Sequence, residues 1–329
     1  MDGAEKQPGP VAELPDQPEL RGLLLVGGHG TRLAPLTGAG GAGGGAGGGV
    51  LSKQLLPVFN KPMVYYPLTV LMLAGVRTVR VVCTPEHRAL YEAALGDGGQ
   101  WGMRLSYVTQ PEPGGLAQAL QLDPAFHHSH PVCLILGDNL IYGSGLRQTL
   151  RQAADVARGG RGAVIFAHRV DDPRRYAVVT LDGAGRPVSL EEKPAAPRSQ
   201  LAVPGLYFYD ATVTGRAAML SPSPRGELEI TDLNRRYLDD GALHVHTWGR
   251  GTAWLDAGTH ASLLEASNFV HSVEQRQGQM IGSPDEVAYR LGWIDADALR
   301  ARAAGFGAGN GYGDALRRVA DEAAPGGRA

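Results

Sequence analysis

A three-layer α/β fold around a mostly parallel sheet is what the sequence predicts, on three observations. Short apolar runs stand at 22–26, 79–83, 105–108 and 132–136, as expected of strands buried on both faces. Helical patterns lie between them at 63–73, 87–95 and 116–122, and strand–helix alternation calls for parallel strands joined by crossovers. The unusual polar residues gather just after these runs, where α/β sheets bind ligands outside the carboxyl ends of their strands.

Residues 1–20 hold four prolines, Pro8, Pro10, Pro15 and Pro18, with little to bury, and read as a flexible tail. Order begins at Gly22. From 163 the β segments shorten (163–168, 177–181, 188–191 and 203–209), predicting a small mixed β part that lays a sugar-sized pocket over the first half. Helices resume at 211–219 and 231–238, and the pattern from 260 onward, above all 285–320, is helical. Of the 47 glycines, an excess lies in one low-complexity run at 38–49, read as a flexible loop. The expected organisation is a tail (1–20), one main domain (21–260) carrying that insertion, and a helical C-terminal segment (261–329) packed on it.

The formal net charge of −2 advertises no basic field, so any anion must be held by local chemistry. Cys83 and Cys133 sit inside apolar runs and read as small core residues of a reduced compartment. No charged-then-apolar leader opens the chain, and no stretch reaches the roughly 18 apolar residues of a membrane span. A cytoplasmic protein is expected.

The first motif is Gly27-Gly28-His29-Gly30-Thr31-Arg32-Leu33, directly after the first strand. Glycines let backbone N–H groups approach a phosphate chain, and Arg32 adds a fork donor for its oxygens. Leu33 stands where a dinucleotide fingerprint needs glycine, and no P-loop signature occurs, so nicotinamide and P-loop chemistry are set aside. The second is Ser52-Lys53-Gln54-Leu55-Leu56-Pro57-Val58. Lys53 suits the same phosphates, although a solvated loop lysine accounts for it equally well in isolation. His127, His128 and His130 lack metal-ligand spacing and read as a solvated loop, and Trp101 as a core plug. No serine occupies a nucleophile elbow.

With Tyr65-Tyr66-Pro67-Leu68 added, these segments resemble bacterial glucose-1-phosphate thymidylyltransferases, and the resemblance runs from about Gly22 to Tyr312. It implies a Rossmann-like nucleotidyltransferase fold and transfer of a thymidylyl group from dTTP to α-D-glucose 1-phosphate. On that pattern Gly27, Gly28, Gly30, Thr31, Arg32, Lys53 and Gln54 hold the nucleotide phosphates. Gln110 and Gly115, in Gln110-Pro111-Glu112-Pro113-Gly114-Gly115, take the base. Asp138, in Leu136-Gly137-Asp138-Asn139, and Asp256, in Trp254-Leu255-Asp256, hold Mg²⁺. Asn139, Ala177, Glu192, Lys193, Val203 and Arg225 face the sugar phosphate, with Asp138 beside it. Arg32, Lys53, Asp138 and Lys193 are the catalytic set. The carboxylate pair passes a physical check: each follows an apolar stretch where a bare charge is costly, and an oxygen-preferring cation relieves both. The resemblance also suggests a homotetramer and feedback by a deoxysugar nucleotide near Tyr142, Arg250 and Glu286.

Four departures bear on activity. The 38–49 run lengthens the link to Lys53, at an entropic cost of only about 0.6 kcal/mol per doubling of loop length. Val26 replaces a usual alanine and is expected to add bulk beside the nucleotide. Ala177 stands for a usual glycine and Ala257 for a usual threonine. The charged residues all survive, which favours an active enzyme over a silent sugar-nucleotide sensor. A UTP-using uridylyltransferase is the nearest alternative, because one methyl is worth only about 1–3 kcal/mol of discrimination.

Overall fold

The computed structural model describes residues 18–28, 30–38 and 51–322. Most of the expected tail, and the glycine-rich insertion beyond Gly38, lie outside the described residues.

Fourteen strands are described: β1 (Arg21–Leu25), β2 (Pro57–Val58), β3 (Lys61–Pro62), β4 (Thr78–Cys83), β5 (Arg104–Thr109), β6 (Val132–Leu136), β7 (Asn139–Gly143), β8 (Ala163–Arg169), β9 (Ala177–Leu181), β10 (Pro187–Glu192), β11 (Leu201–Val203), β12 (Leu206–Tyr209), β13 (Leu243–Thr247) and β14 (Thr252–Asp256). Ten form the central sheet in the order β10-β9-β11-β8-β12-β6-β1-β4-β5, with β13 added on β8. The β6-β1-β4-β5 half is parallel. Beyond it β12, β11 and β10 run antiparallel to their neighbours.

The parity of the strands sorts the core into two layers. Leu24, Val26, Val81, Cys133 and Ile135 enter one cluster, while Leu23, Leu25, Val82, Val132 and Leu134 enter the other. The first is covered by α1 (Tyr65–Leu73), α2 (Arg88–Leu95) and later helices; α1 is buried from Tyr66 to Met72, since both the sheet and other helices pack on it. The second lies under the short helices α3 (Ala119–Leu122) and α4 (Pro124–His127), whereas α5 (Leu146–Arg158) returns to the first. Two further helices, α6 (Val213–Ala218) and α7 (Ile230–Asp239), complete the second face.

The C-terminal part holds α8 (His260–Gln277), α9 (Pro284–Arg290), α10 (Ala296–Ala304) and α11 (Gly311–Asp321). Asp285, with no exposed surface, ties them to the sheet layers. It accepts hydrogen bonds from Trp101 Nε1 (3.1 Å), Arg302 Nε (2.7 Å) and Tyr312 Oη (2.9 Å). Trp101 is thereby the expected core plug. No helix among the described residues is long and apolar enough to cross a membrane.

Three expectations are revised. The helix expected at 116–122 is reduced to α3, because Ala117 N–H is drawn to Leu228 O (3.1 Å). The single strand expected at 203–209 breaks at Pro204-Gly205: a Cβ on Gly205 would stand 2.4 Å from the Leu136 side chain. His127 is fully buried rather than solvated, and His130 Nδ1 lies 3.1 Å from Glu19 O.

Candidate active site

The glycine turn follows β1. Gly28 (φ 126°) and Gly30 (φ 60°) adopt the left-handed conformations that a phosphate-binding turn needs, while His29 lies outside the described residues. Thr31, Arg32 and Leu33 make one tight helical turn, burying Leu33 and leaving Thr31 and Arg32 exposed. Thr37 closes the turn, its Oγ1 donating to Gly30 O (3.2 Å).

Leu51 N–H donates to Thr37 O (3.1 Å), so the insertion is cinched at its base. Lys53 stands two residues later, and its Nζ forms an ion pair with Asp138 Oδ2. The lengthened loop therefore leaves Lys53 in reach. Gln54 is turned inward, 2% exposed, with Oε1 accepting from Ser52 Oγ (2.7 Å) and Tyr91 Oη (3.3 Å). Val26 is also fully buried, its Cγ1 2.7 Å from where a Cβ on Gly137 would lie. Its extra bulk faces the core, not a nucleotide.

Gln110 bridges the glycine turn and the next loop. Its Oε1 approaches Gly27, and its Nε2 donates to Gly115 O (3.4 Å) and Gln118 Oε1. At Gly115 (φ 96°) a Cβ would lie 2.4 Å from Leu228 O. Glycine is required there because the loop runs backbone-to-backbone against the 225–229 segment, with Leu228 N–H on Gly114 O at 2.8 Å.

The acid pair is made by a ribbon outside the main sheet. β7 leaves β6 and pairs with β14, placing Asn139 opposite Asp256, and Ala257 N–H donates to Asp138 O (3.1 Å). Two carboxylates from distant segments thus meet at one ribbon end. Burial works to raise the Asp138 pKa, but the Lys53 charge and hydrogen bonds from Lys53 and Asn139 win, holding it below the ordinary carboxylate range. Asp256 is raised, first by burial and then by the Asp138 charge, with Lys53, Arg175 and Arg32 opposing. Ala257 points into the core with no exposed surface. Asn139 is 3% exposed: its Oδ1 accepts from Gly205 N–H (3.1 Å) and Trp254 Nε1 (2.6 Å), and its Nδ2 donates to Asp138 Oδ1 (3.0 Å). Its polar atoms are engaged inside the protein, behind Asp138.

The sugar-phosphate residues come together across three strands. Ala177 is in register with Glu192 on one side and Val203 on the other, so the three share one sheet face. Glu192 Oε2 accepts from Thr231 Oγ1 (2.6 Å), while Oε1 faces Lys193 Nζ (3.1 Å) and Arg225 Nη2 (3.6 Å). Arg225 is gripped by both Glu229 oxygens at 2.8 Å. Lys193 holds a left-handed φ of 43°, with its N–H on Tyr176 O (3.1 Å). Such strain costs about 1–3 kcal/mol and collects at functional sites.

Sequence reasoning missed Arg175 and Tyr176. The Tyr176 ring packs on Trp254 at 4.9 Å, two residues before Asp256. The residues suggested for feedback are scattered around the C-terminal helices. Tyr142 Oη bonds Gln277 Oε1 (2.5 Å), buried Glu286 accepts from Arg290 Nε (2.6 Å), and Arg250 is exposed in the β13–β14 turn.

A cation at Asp138 and Asp256 fits this donor set. Among the described residues no group of three or more His, Cys, Asp or Glu side chains is placed to hold a metal ion. Two carboxylates at one ribbon end suit a divalent cation, which takes oxygen donors.

The sequence model of the family described as nucleotidyl transferase matches residues 21–273. A glucose-1-phosphate thymidylyltransferase of Xanthomonas campestris is 51% identical over 304 residues, covering 92% of this chain and 98% of the relative. One of Mycobacterium tuberculosis is 46% identical over 297 residues, covering 90% of this chain and 98% of the relative. Among solved structures, a Bacillus anthracis protein provisionally named glucose-1-phosphate thymidylyltransferase, in complex with a sucrose, superposes with a TM-score of 0.67 at 35% identity. The superposition covers 76% of this chain and 94% of that one.

Proposed function

The chain belongs to the nucleotidyl transferase family, and from that premise we propose that it transfers the thymidylyl group of dTTP to α-D-glucose 1-phosphate. The products are dTDP-glucose and pyrophosphate, and the step opens dTDP-deoxysugar synthesis. One observation supports this reading: the Asp138–Asp256 pair meets the charges of Lys53, Arg32 and Arg175, while a second cationic group, Lys193 and Arg225, gathers on Glu192. That is an arrangement for two polyanions meeting at one point.

The sugar phosphate is already an anion, so no general base is needed. The difficulty is repulsion, answered by positioning and fixed charge. Lys193 and Arg225 hold the attacking phosphate, while Glu192, Val203 and the Ala177 backbone orient the sugar. The amides of Gly27, Gly28, Gly30 and Thr31 cradle the triphosphate, with Gln54 bracing the turn from behind. Gln110 and Gly115 present the base edge. Arg32 and Lys53 stabilise charge on the departing pyrophosphate. Mg²⁺ held by Asp138 and Asp256 supplies further charge neutralisation at the triphosphate when bound. Asn139 acts through Asp138.

The test is pyrophosphate release from glucose 1-phosphate with dTTP or UTP, with and without Mg²⁺. Release with dTTP is expected. Nucleotide binding without release from either triphosphate refutes the reading, and faster release with UTP reassigns the base. Arg32→Ala should cost about 2.7–4 kcal/mol of barrier, the usual cost of one transition-state donor. The same reading includes a cytoplasmic homotetramer, a division near residue 260 between catalytic domain and helical segment, and feedback by a deoxysugar nucleotide near Tyr142, Arg250 and Glu286.

A further inference from the structure

Among the described residues the other cations of the cleft are matched to carboxylates. Lys53 sits on Asp138, Lys193 on Glu192 and Arg225 on Glu229. Arg32 and Arg175 differ: both are exposed, and among the described residues neither side chain makes a hydrogen bond or ion pair. Arg174, the preceding residue, shows the contrast. Its Nε and Nη2 both grip Asp172 at 2.8 Å.

The local backbone fixes this division. Tyr176 N–H donates to Pro173 O (2.9 Å), making Arg174 and Arg175 the central pair of a turn. The turn is pinned at its far end, where Tyr176 O accepts from Lys193 N–H (3.1 Å) and the Tyr176 ring lies 4.9 Å from Trp254. Trp254 is two residues before Asp256 on β14. Arg175 is thus carried to the acid pair by an anchored turn, while Arg32 arrives from the glycine turn. The charges of both bear on Asp256 and Tyr176.

We propose that Arg175 is a second phosphate-binding arginine, which with Arg32 clamps the pyrophosphoryl end of the triphosphate. This rests on the nucleotidyl-transfer reading. An unpaired, always-charged guanidinium fork beside a carboxylate pair is suited to phosphate oxygens. It adds positive charge where two polyanions must coexist and is freed from none of its own partners on binding.

The test compares wild type, Arg175→Ala and Arg175→Lys. In pyrophosphorolysis of dTDP-glucose, Arg175→Ala should raise the KM for pyrophosphate by about tenfold or more, the value of a charge-assisted hydrogen bond. Lysine should recover part of this, keeping the charge but not the fork. The forward KM for glucose 1-phosphate should stay within about twofold of wild type, as expected when the other substrate's contacts are intact. Calorimetric titration with pyrophosphate reads the same loss without turnover. Unchanged pyrophosphate affinity in Arg175→Ala overturns the assignment, and so does a selective rise in the KM for glucose 1-phosphate. If wild type fails to turn over dTTP while Arg175→Ala still loses pyrophosphate binding, the transfer reading falls and the clamp stands.

Discussion

Asn139 offers a perturbation that separates two roles for one side chain. Facing the sugar, it would contribute to glucose 1-phosphate binding; bonded as the structure has it, it holds Asp138. Asn139→Ala removes the acceptor for Gly205 N–H (3.1 Å) and Trp254 Nε1 (2.6 Å) and the donor to Asp138 (3.0 Å). The Gly205 amide is buried, and an orphaned buried donor costs about 1–3 kcal/mol, while a lost bond to a charged group costs about 1.5–3 kcal/mol. Half-exposed Trp254 can turn to water and adds less. A stability loss of about 2.5–6 kcal/mol follows from these values. Asn139→Asp keeps both acceptor bonds but sets a second carboxylate against Asp138. Losing the bond to Asp138 should lower kcat by about 10–100-fold, if its free energy is expressed in the barrier. Both variants should be followed by thermal melting and by pyrophosphate release with glucose 1-phosphate varied. A wild-type melt and kcat in Asn139→Ala, with only the KM for glucose 1-phosphate raised, would refute the positioning role.

Gly115→Ala should be damaging despite its small size. A Cβ at φ 96°, 2.4 Å from Leu228 O, forces the base loop away from the segment carrying Arg225, so KM should rise for both dTTP and glucose 1-phosphate; an effect confined to dTTP argues against this coupling. His127 is buried, and desolvation pushes its pKa from 6.5 down to about 4. The unfolded chain therefore binds the extra proton first as pH falls below 6.5, and stability contributed by the neutral ring is lost progressively down to about pH 4, about 3 kcal/mol in all. Urea midpoints at pH 7 and 4.5 should converge in His127→Phe relative to wild type, and an equal acid loss in both proteins excludes His127 as the source. Asp285→Asn keeps the shape but removes the charge that Arg302 meets at 2.7 Å. It should destabilise by about 3–5 kcal/mol, the cost of breaking a buried pair; an unchanged melting temperature would show that Asp285 does not secure the C-terminal helices.

The chemistry was legible wherever a residue type is the only one that serves. Arg32, Lys53, Asp138, Lys193, Arg225 and Asp256 suit the proposed chemistry in this way, and the structure brings Arg32, Lys53, Asp138 and Asp256 within range of one another's charge from segments more than 200 positions apart. The continuous apolar runs of β1, β4 and β6 were legible for the same reason, since strands covered on both faces have no polar alternative. Directions and neighbours were not. Parity sets Val26 apart from Leu25, but only the packed sheet reveals that the Val26 side faces Gly137 and the core. Arg174 and Arg175 are the same residue type in one polar turn; the bond from Tyr176 to Pro173 and the Asp172 carboxylate distinguish them, and both depend on the folded loop. The stretch before Asp256 read as apolar, but its pairing as β14 with a strand more than 100 residues away was not legible. The insertion shows the limit most clearly. Its length suggested distance between the glycine turn and Lys53, yet loop length enters the closure cost only logarithmically. What sets the reach of Lys53 is the bond from Leu51 to Thr37, which joins the loop's two ends whatever lies between them.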